Sequence, residues 1–182
     1  MKQFVLITLL SLLVSLSVGA DKFSELTILA EKGDPSSQYQ LANMYRTGEG
    51  VAKNSEEAVK WFHKSAEQGW PGWADIGVMY ESGDGVSPNY RDAVRYFRKS
   101  AMQGYDDGQM YLGGMYNEGK GVPENFAEAY VWFSLAAIVG SDEAIKMRDL
   151  TARKLSPDVL DRSQQRAAKL FEEIKHWQAK NP

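Results

Sequence analysis

A short glycine motif occurs three times in this chain at nearly constant spacing. Gly48-Glu49-Gly50-Val51 recurs as Gly83-Asp84-Gly85-Val86 and as Gly119-Lys120-Gly121-Val122, at steps of 35 and 36 residues. A period of this length is typical of proteins that stack copies of one supersecondary unit, because a single copy cannot bury its apolar face alone. We therefore expect an array of three full repeats.

Other positions keep the same steps and describe two helices per repeat. A tyrosine precedes each glycine pair, and an alanine, an aromatic residue and a second alanine follow it at helical spacing. These positions are Tyr45, Tyr80 and Tyr116; Ala58, Ala93 and Ala129; Trp61, Tyr96 and Trp132; and Ala66, Ala101 and Ala137. They are expected to form the core, and no alternating strand pattern occurs in the sequence.

Capping residues predict where the helices begin. Asp34 followed by Pro35 is typical of a helix start, and Gly48 should end that first helix. Each second helix should begin at an asparagine with an acidic residue three positions later, which is a capping-box-like arrangement. The pairs are Asn54 with Glu57, Asn89 with Asp92, and Asn125 with Glu128. The glycine pairs therefore mark helix ends and not phosphate-binding loops, which follow a strand.

In this register the chain resembles the Sel-one-like repeat, a relative of the tetratricopeptide repeat, over roughly residues 30 to 140. In repeat one the resemblance is carried by Gln38, Leu41, Met44, Tyr45, Gly48, Gly50, Val51, Ala58, Trp61, Phe62, Ala66 and Gly69. Ala42 departs from the expected glycine, and Trp73 replaces the glutamine seen at Gln38 and Gln109. The resemblance implies an all-α fold, an α-solenoid of antiparallel helix pairs similar to a tetratricopeptide superhelix.

The chain is expected to have three parts. Residues 1–20 are typical of a cleaved signal peptide, because Lys2 precedes an apolar run and small residues lead up to Ala20. Residues 21–155 should form the solenoid, with an incomplete first unit, three full repeats and the start of a fourth. Residues 156–182 should form a long C-terminal capping helix.

The outer face of the second helix predicts what the capping helix covers. Two positions on this face are basic in repeats one and two and apolar in repeat three. They are Lys60, Arg95 and Val131 for the first position and Lys64, Lys99 and Leu135 for the second. Burying each apolar side chain under the last helix would contribute about 1.5–3 kcal/mol.

Composition argues against several classes of function. The chain has no cysteine, which excludes a disulfide framework, cysteine nucleophiles and most structural zinc sites. Its net charge of −3 disfavours nucleic acid as a partner. The histidines His63 and His176 lie in no catalytic or metal-binding motif. We expect no catalytic residue, metal or cofactor, a periplasmic or secreted location, and no membrane span after cleavage.

The expected binding site is the concave surface that the first helices of a solenoid line. By similarity to tetratricopeptide repeats, the candidate protein-binding residues are Tyr39, Asn43, Arg46, Val78, Glu81, Met110 and Asn117, together with Ala74 and Gly114. Their chemistry differs between repeats, as it would in a selective binder of one protein or peptide. The first hypothesis is therefore an exported, non-catalytic scaffold or adaptor in the bacterial cell envelope.

Two further features leave alternatives open. Trp70 and Trp73 flank a Pro-Gly turn, and an exposed aromatic pair can stack on a sugar, so the alternative function is a binder or hydrolase of envelope glycans. A basic stripe recurs between two repeats and is either a solvated face or a site for an anionic partner such as a membrane surface or an acidic protein. Its members are Lys60, Lys64, Arg91, Arg95, Arg98 and Lys99.

Overall fold

A computed structural model describes residues 21–181, and this range contains nine α-helices and no β-strand. The chain divides into two compact units, Met1–Trp70 and Pro71–Pro182, so the boundary falls inside the segment predicted as one solenoid. The predicted signal peptide, residues 1–20, lies outside the described residues. Within the described range, no helix has both the length and the apolar character that crossing a membrane requires.

The first compact unit holds the incomplete unit and repeat one. Its helices are α1 (described over residues 21–31), α2 (Pro35–Thr47) and α3 (Ser55–Glu67). The Asp34 carboxylate caps α2 by accepting the Ser37 N–H at 2.7 Å. Gly48 ends α2 with φ of 80°, a left-handed conformation that glycine adopts without a Cβ clash. The predicted start and stop of α2 are thus confirmed.

The second compact unit holds repeats two and three and the C-terminal helices. Its helices are α4 (Trp73–Ser82), α5 (Tyr90–Gln103), α6 (Asp106–Glu118), α7 (Phe126–Ala136), α8 (Asp142–Ala152) and α9 (Pro157–Lys180). One 3₁₀ turn, Ala137–Val139, extends α7. Consecutive helices from α4 to α8 pack against each other, and α9 packs back onto α7 and α5.

The asparagine caps are confirmed, but the reciprocal half of the predicted capping box is wrong. Asn54 accepts the Glu57 N–H at 3.1 Å, and Asn125 accepts the Glu128 N–H at 3.1 Å. The asparagine backbone N–H groups do not turn to these carboxylates. In all three repeats they donate to the carbonyl of the conserved tyrosine in the preceding helix. The bonds are Asn54 to Tyr45 at 2.8 Å, Asn89 to Tyr80 at 2.8 Å and Asn125 to Tyr116 at 2.9 Å. Each of these bonds closes one helix pair.

The core of each repeat is built around one fully buried phenylalanine of the second helix, at Phe62, Phe97 and Phe133. The wider aromatic prediction is correct only in part. Tyr96 and Trp132 are buried, whereas Trp61 and the three repeat tyrosines are half-buried. Trp61 keeps an open face that the Lys64 ammonium covers, at 3.9 Å from the ring centroid.

The C-terminal helix covers repeat three as predicted. Val131 and Leu135 of α7 are both buried, and Leu135 shares a hydrophobic cluster with Ile174 of α9. Polar contacts fix both ends of this packing, since Arg166 pairs with Glu128 at 3.1 Å and the Gln178 amide donates to the Gln103 carbonyl at 2.8 Å. Val131 and Leu135 of α7 therefore belong to the contact with the C-terminal capping helix and not to a binding face.

Candidate protein-binding surface

A cavity of about 480 Å³ opens on the first helices of the second compact unit. Most of its lining comes from α4, α6 and α8, which are the first helices of repeats two and three and of the incomplete fourth repeat, and Phe133 of α7 completes it. We call it the acidic cavity, for reasons given below. The residues that line it are Glu81, Asp107, Met110, Tyr111, Gly114, Met115, Glu118, Phe133, Ser141, Glu143 and Met147.

The apolar part of the acidic cavity combines a fixed ring with adaptable side chains. Tyr111 stacks on the buried Phe97 with centroids 4.8 Å apart, and 43% of Tyr111 stays exposed. Met110 and Met147 also face the cavity, and methionine side chains adjust their shape to an incoming group. A Cβ placed on Gly114 would meet no atom within 4 Å, so the missing side chain there keeps the cavity open.

The charged residues that line the cavity are all acidic. Burial raises the pKa of the Tyr111 hydroxyl, and the negative charges of Asp107, Glu81, Asp75 and Glu143 raise that pKa further. A phenol whose neighbours all hold it in the neutral form lies in a negative potential. The cavity therefore favours a positively charged ligand.

Two of the carboxylates differ in how they are compensated. Burial raises the pKa of Asp107, although its carboxylate accepts the Gly108 N–H at 2.6 Å. Glu118 is already neutralised by Lys120, whose ammonium lies 2.6 Å from its Oε2. The surroundings of Asp107 thus disfavour its charged form, whereas the charge of Glu118 is paired with that of Lys120.

The predicted groove residues of the second compact unit lie in different surroundings, and only some of them line the acidic cavity. Glu81 and Met110 line the acidic cavity, as does Gly114. Asn117 lies outside the lining, and its side-chain oxygen accepts from the Lys154 ammonium at 3.2 Å. Val78 packs instead against the hydrophobic cluster around Phe97. Ala74 is buried, so its side chain is not available for contact with a ligand.

The three predicted residues of repeat one form a row along α2. The Tyr39 ring meets Phe62 edge-on at 5.4 Å. The Asn43 amide donates to the Tyr39 carbonyl at 3.1 Å, and the Arg46 guanidinium donates to the Asn43 oxygen at 2.7 Å. These bonds hold the row in one conformation, and a role for it in binding stays a prediction.

Of the eleven lining residues, three were among the predicted groove residues and eight were not, although a signal for four of these eight exists. Asp107 and Glu143 hold equivalent positions one repeat apart, and so do Tyr111 and Met147. In α6 and in α8, an acidic residue of the first turn is therefore followed one turn later by a large side chain. The 36-residue step that identified the repeats would have paired these positions.

The predicted aromatic platform is wrong. Trp73 is only 5% exposed, because its ring stacks on Tyr96 at 5.9 Å and the Lys99 ammonium lies 4.0 Å from its centroid. Trp70 is 40% exposed and lies in the other compact unit. A sugar that stacks on two tryptophans needs both ring faces, and Trp73 offers neither.

The two histidines lie in ordinary surroundings. His63 Nδ1 lies 3.2 Å from the Glu67 carboxylate one helical turn away, and His176 is exposed on α9. Within residues 21–181, no group of three or more histidine or carboxylate side chains is placed to hold a metal ion.

Comparison with known proteins identifies the repeats. The sequence profile of the Sel1 repeat matches residues 35–70, 74–105 and 106–141, which are the three repeats assigned above. The chain belongs to the Sel1 repeat family. Sel1 repeats generally mediate protein–protein interaction, so the chain is a protein-interaction scaffold.

Solved structures of Sel1 repeat proteins confirm the tetratricopeptide-like solenoid fold class. The chain is 32% identical to a Sel1 repeat protein from Oxalobacter formigenes, with a TM-score of 0.63, over 69% of this chain and 96% of that one. A protective antigen of uropathogenic Escherichia coli with the same fold is 25% identical, with a TM-score of 0.57, over 87% and 42% of the two chains. The cysteine rich protein B of Helicobacter pylori, 24% identical over 69% and 96% of the two chains, shares the fold at a TM-score of 0.52.

A curated relative shares a shorter segment. An exopolysaccharide production negative regulator of Rhizobium meliloti (strain 1021) is 51% identical over 49 residues, which are 26% of this chain. These residues are 18% of the regulator's own length, so the match spans less than a fifth of that protein.

Proposed function

We propose that this Sel1 repeat protein is an exported, non-catalytic adaptor of the bacterial cell envelope. We further propose that its acidic cavity binds a segment of a partner protein that inserts a lysine or arginine side chain. The observation that carries this proposal is the cavity of about 480 Å³, whose charged lining is entirely acidic and whose other lining residues are methionine and aromatic side chains together with Gly114 and Ser141.

The shape and chemistry of the cavity match a basic side chain along its whole length. The aliphatic stem of lysine or arginine packs on apolar surface while the charged group stays near polar atoms. Met110 and Met147 offer that surface. The exposed Tyr111 ring attracts a cation to its face, and Glu81 and Glu143 supply charge-assisted hydrogen bonds.

The surroundings of the Asp107 carboxyl support a binding role for the cavity. Burial and the neighbouring Asp106 charge raise the pKa of Asp107, so its ionised form destabilises the folded protein at neutral pH. Perturbed acids that lie in clefts occur preferentially at functional sites. A cationic ligand would remove this penalty, which a merely solvated surface would not carry.

The export proposal is supported by the amino-terminal sequence. Lys2 and the apolar run that follows it have the pattern of a signal peptide, with cleavage expected after Ala20. Fractionation of the source bacterium followed by mass spectrometry tests this. The expected result is a periplasmic or secreted protein that begins at Asp21, and a cytoplasmic protein that retains residues 1–20 would refute export.

The cavity proposal is tested with a peptide library in which one position is varied. The purified protein is titrated with fluorescent peptides of identical apolar residues whose central side chain is arginine, lysine, glutamine or glutamate. We expect arginine and lysine to bind tightest. Gly114→Leu should abolish this binding, because the new side chain would fill the open space beside Tyr111.

Two matched charge variants complete the test. Glu143→Gln removes a carboxylate that faces the cavity, whereas Glu118→Gln removes one already paired with Lys120. Glu143→Gln should therefore lower the affinity for the arginine peptide several-fold more than Glu118→Gln does. Equal affinity for arginine and glutamate peptides, or no effect of Gly114→Leu, would refute a cation-binding cavity.

A further inference from the structure

A second cavity, of about 650 Å³, lies on the second helix of repeat two and shares no lining residue with the acidic cavity. One side of it is α5, and the other is the loop between α6 and α7. We call it the basic trough. It is lined by Arg91, Val94, Arg95, Arg98, Lys99 and Met102 of α5 and by Gly121 and Val122 of the loop.

The charged residues of the basic trough are all cationic. Arg91, Arg95 and Arg98 follow one another at roughly one-turn intervals, so they span about 10 Å along the helix axis at 1.5 Å per residue. Arg95 pairs with Asp92 at 3.2 Å, and this is the one ion pair that the described residues give the four cations of the trough. A clear positive surplus remains.

Arg98 and Lys99 of the trough are held in place by aromatic neighbours and not by carboxylates. The Arg98 guanidinium donates to the Tyr116 hydroxyl at 2.6 Å. The Lys99 ammonium lies 4.0 Å from the Trp73 ring centroid. These contacts fix the position of the positive charges without neutralising them, so the trough retains its attraction for an anion.

The loop wall of the trough depends on a glycine. Gly121 has φ of 71°, and a Cβ there would come closer to the Tyr90 carbonyl and the Arg91 nitrogen than the 3.0 Å that real Cβ contacts respect. The loop backbone therefore lies directly against the first turn of α5. This contact places Val122 beside Val94, and both pack on the core cluster at the bottom of the trough.

We propose that the basic trough binds an acidic amphipathic helix of a partner protein. Such a helix presents carboxylates at one-turn intervals, which match the spacing of Arg91, Arg95 and Arg98. Its apolar side chains would cover Val94, Val122 and the exposed Met102. An acidic polysaccharide offers these residues less apolar surface than the apolar face of a helix does. Vesicles that contain phosphatidylglycerol distinguish an anionic bilayer from such a helix.

This inference is independent of the ligand of the acidic cavity and adds a second binding site to it. One compact unit would then hold a basic side chain of one partner on its first helices and an acidic helix of another on α5. A scaffold with two sites of opposite charge brings together two partners that cannot exchange places.

The test is a titration of the full chain, followed by fluorescence anisotropy, with a designed amphipathic helix of about 18 residues whose glutamates lie at i, i+4 and i+7. Three further probes accompany it: the same peptide with lysine for glutamate, a scrambled peptide of identical composition, and vesicles that contain phosphatidylglycerol. Of these four probes, we expect only the acidic helix to bind. Its affinity should fall as the salt concentration rises.

Arg91→Glu is the main variant, and Lys169→Glu on α9 is its matched control. Both reverse one exposed charge within the second compact unit, but only Arg91 lines the trough. Arg91→Glu should lower the affinity for the acidic helix about tenfold, and Lys169→Glu should lower it less than about twofold. Met102→Gln should also weaken it, while Gly114→Leu, which fills the acidic cavity, should leave it unchanged. Circular dichroism verifies that each variant is folded.

Several outcomes would overturn the inference. An equal loss of affinity for the acidic helix in Arg91→Glu and Lys169→Glu would mean that only the net charge of the protein determines binding. Equal binding of the scrambled peptide would show that the trough does not recognise a helix face. Binding of vesicles without the peptide would assign the trough to an anionic membrane. Self-association abolished both by Arg91→Glu and by Gly114→Leu would assign it to the acidic cavity of a second copy.

Discussion

Gly113 and Gly114 are neighbours in α6, and the same substitution should change stability in opposite directions at these two positions. An alanine methyl at position 113 would lie 2.7 Å from two carbons of the Phe133 ring. That is closer than side-chain carbons come in proteins. A methyl at position 114 would meet no atom within 4 Å. Gly113→Ala and Gly114→Ala therefore make the same change in one helix, but only the first meets a close contact.

The magnitudes follow from that single difference. Replacing glycine by alanine inside a helix stabilises by about 0.5–1 kcal/mol at either position, because the unfolded chain loses freedom. Only Gly113→Ala adds overpacking, which costs about 1–3 kcal/mol because Phe133 is fully buried. The two variants should thus differ by about 1–3 kcal/mol in free energy of unfolding, with Gly114→Ala above the wild type.

Urea unfolding and thermal melts measure this difference directly. A shift of 1 kcal/mol corresponds to about 2–4 °C in Tm for a chain of this size. Repeat one carries alanine at the equivalent position, where Ala42 and Phe62 are both fully buried. The constraint therefore belongs to the ring positions of repeats two and three, since a Cβ on Gly77 would likewise come within 2.5 Å of the Phe97 ring. If Gly113→Ala stabilised the protein as much as Gly114→Ala does, the close contact with Phe133 would be refuted.

Three further predictions concern the C-terminal capping helix, the acidic cavity and the N-cap of α7. Leu135→Lys restores the residue type of repeats one and two but should lower the free energy of urea unfolding by at least about 3 kcal/mol. The loss should be much smaller in a chain that ends before Ser156, because α9 then no longer buries position 135. Asp107→Asn keeps the acceptor for Gly108 and should raise Tm at pH 7. This gain should vanish as pH falls towards 3.8, because burial raises the pKa of Asp107 and the wild type then becomes protonated. Asn125→Ala should cost about 1 kcal/mol in urea unfolding, and no loss would show that its side chain does not cap α7.

The helices could be predicted from the sequence because their ends depend on local chemistry. Asp34 and Asn125 cap the helices where the sequence indicated, since capping involves atoms only a few residues away. The partner of the Asn125 backbone N–H could not be predicted in the same way. Its acceptor is the Tyr116 carbonyl of the preceding helix, and that contact exists only once the two helices have packed.

The acidic cavity was only partly predictable for the same physical reason. Glu81 and Met110 followed from their positions in the repeat, but Glu143 and Met147 belong to an incomplete repeat that extends the same wall. Which side chains of neighbouring helices share a cavity depends on the rotation of each helix about its axis. The packing of large core residues sets that rotation, and a repeat pattern alone does not contain it.

The separation of core from surface positions explains how one small unit can carry two surfaces of opposite charge. On α5, Phe97 and Ala93 are fully buried while Arg91 and Arg95 are exposed, so the charge of the basic trough does not depend on the residues that hold the fold. The acidic cavity is different, because desolvation raises the pKa of the Asp107 carboxyl and so disfavours its ionised form in the folded protein. Substitutions in the trough should therefore change binding with little effect on stability, whereas Asp107→Asn should weaken binding and increase stability. That opposite response distinguishes a carboxylate kept for a ligand from one kept for folding.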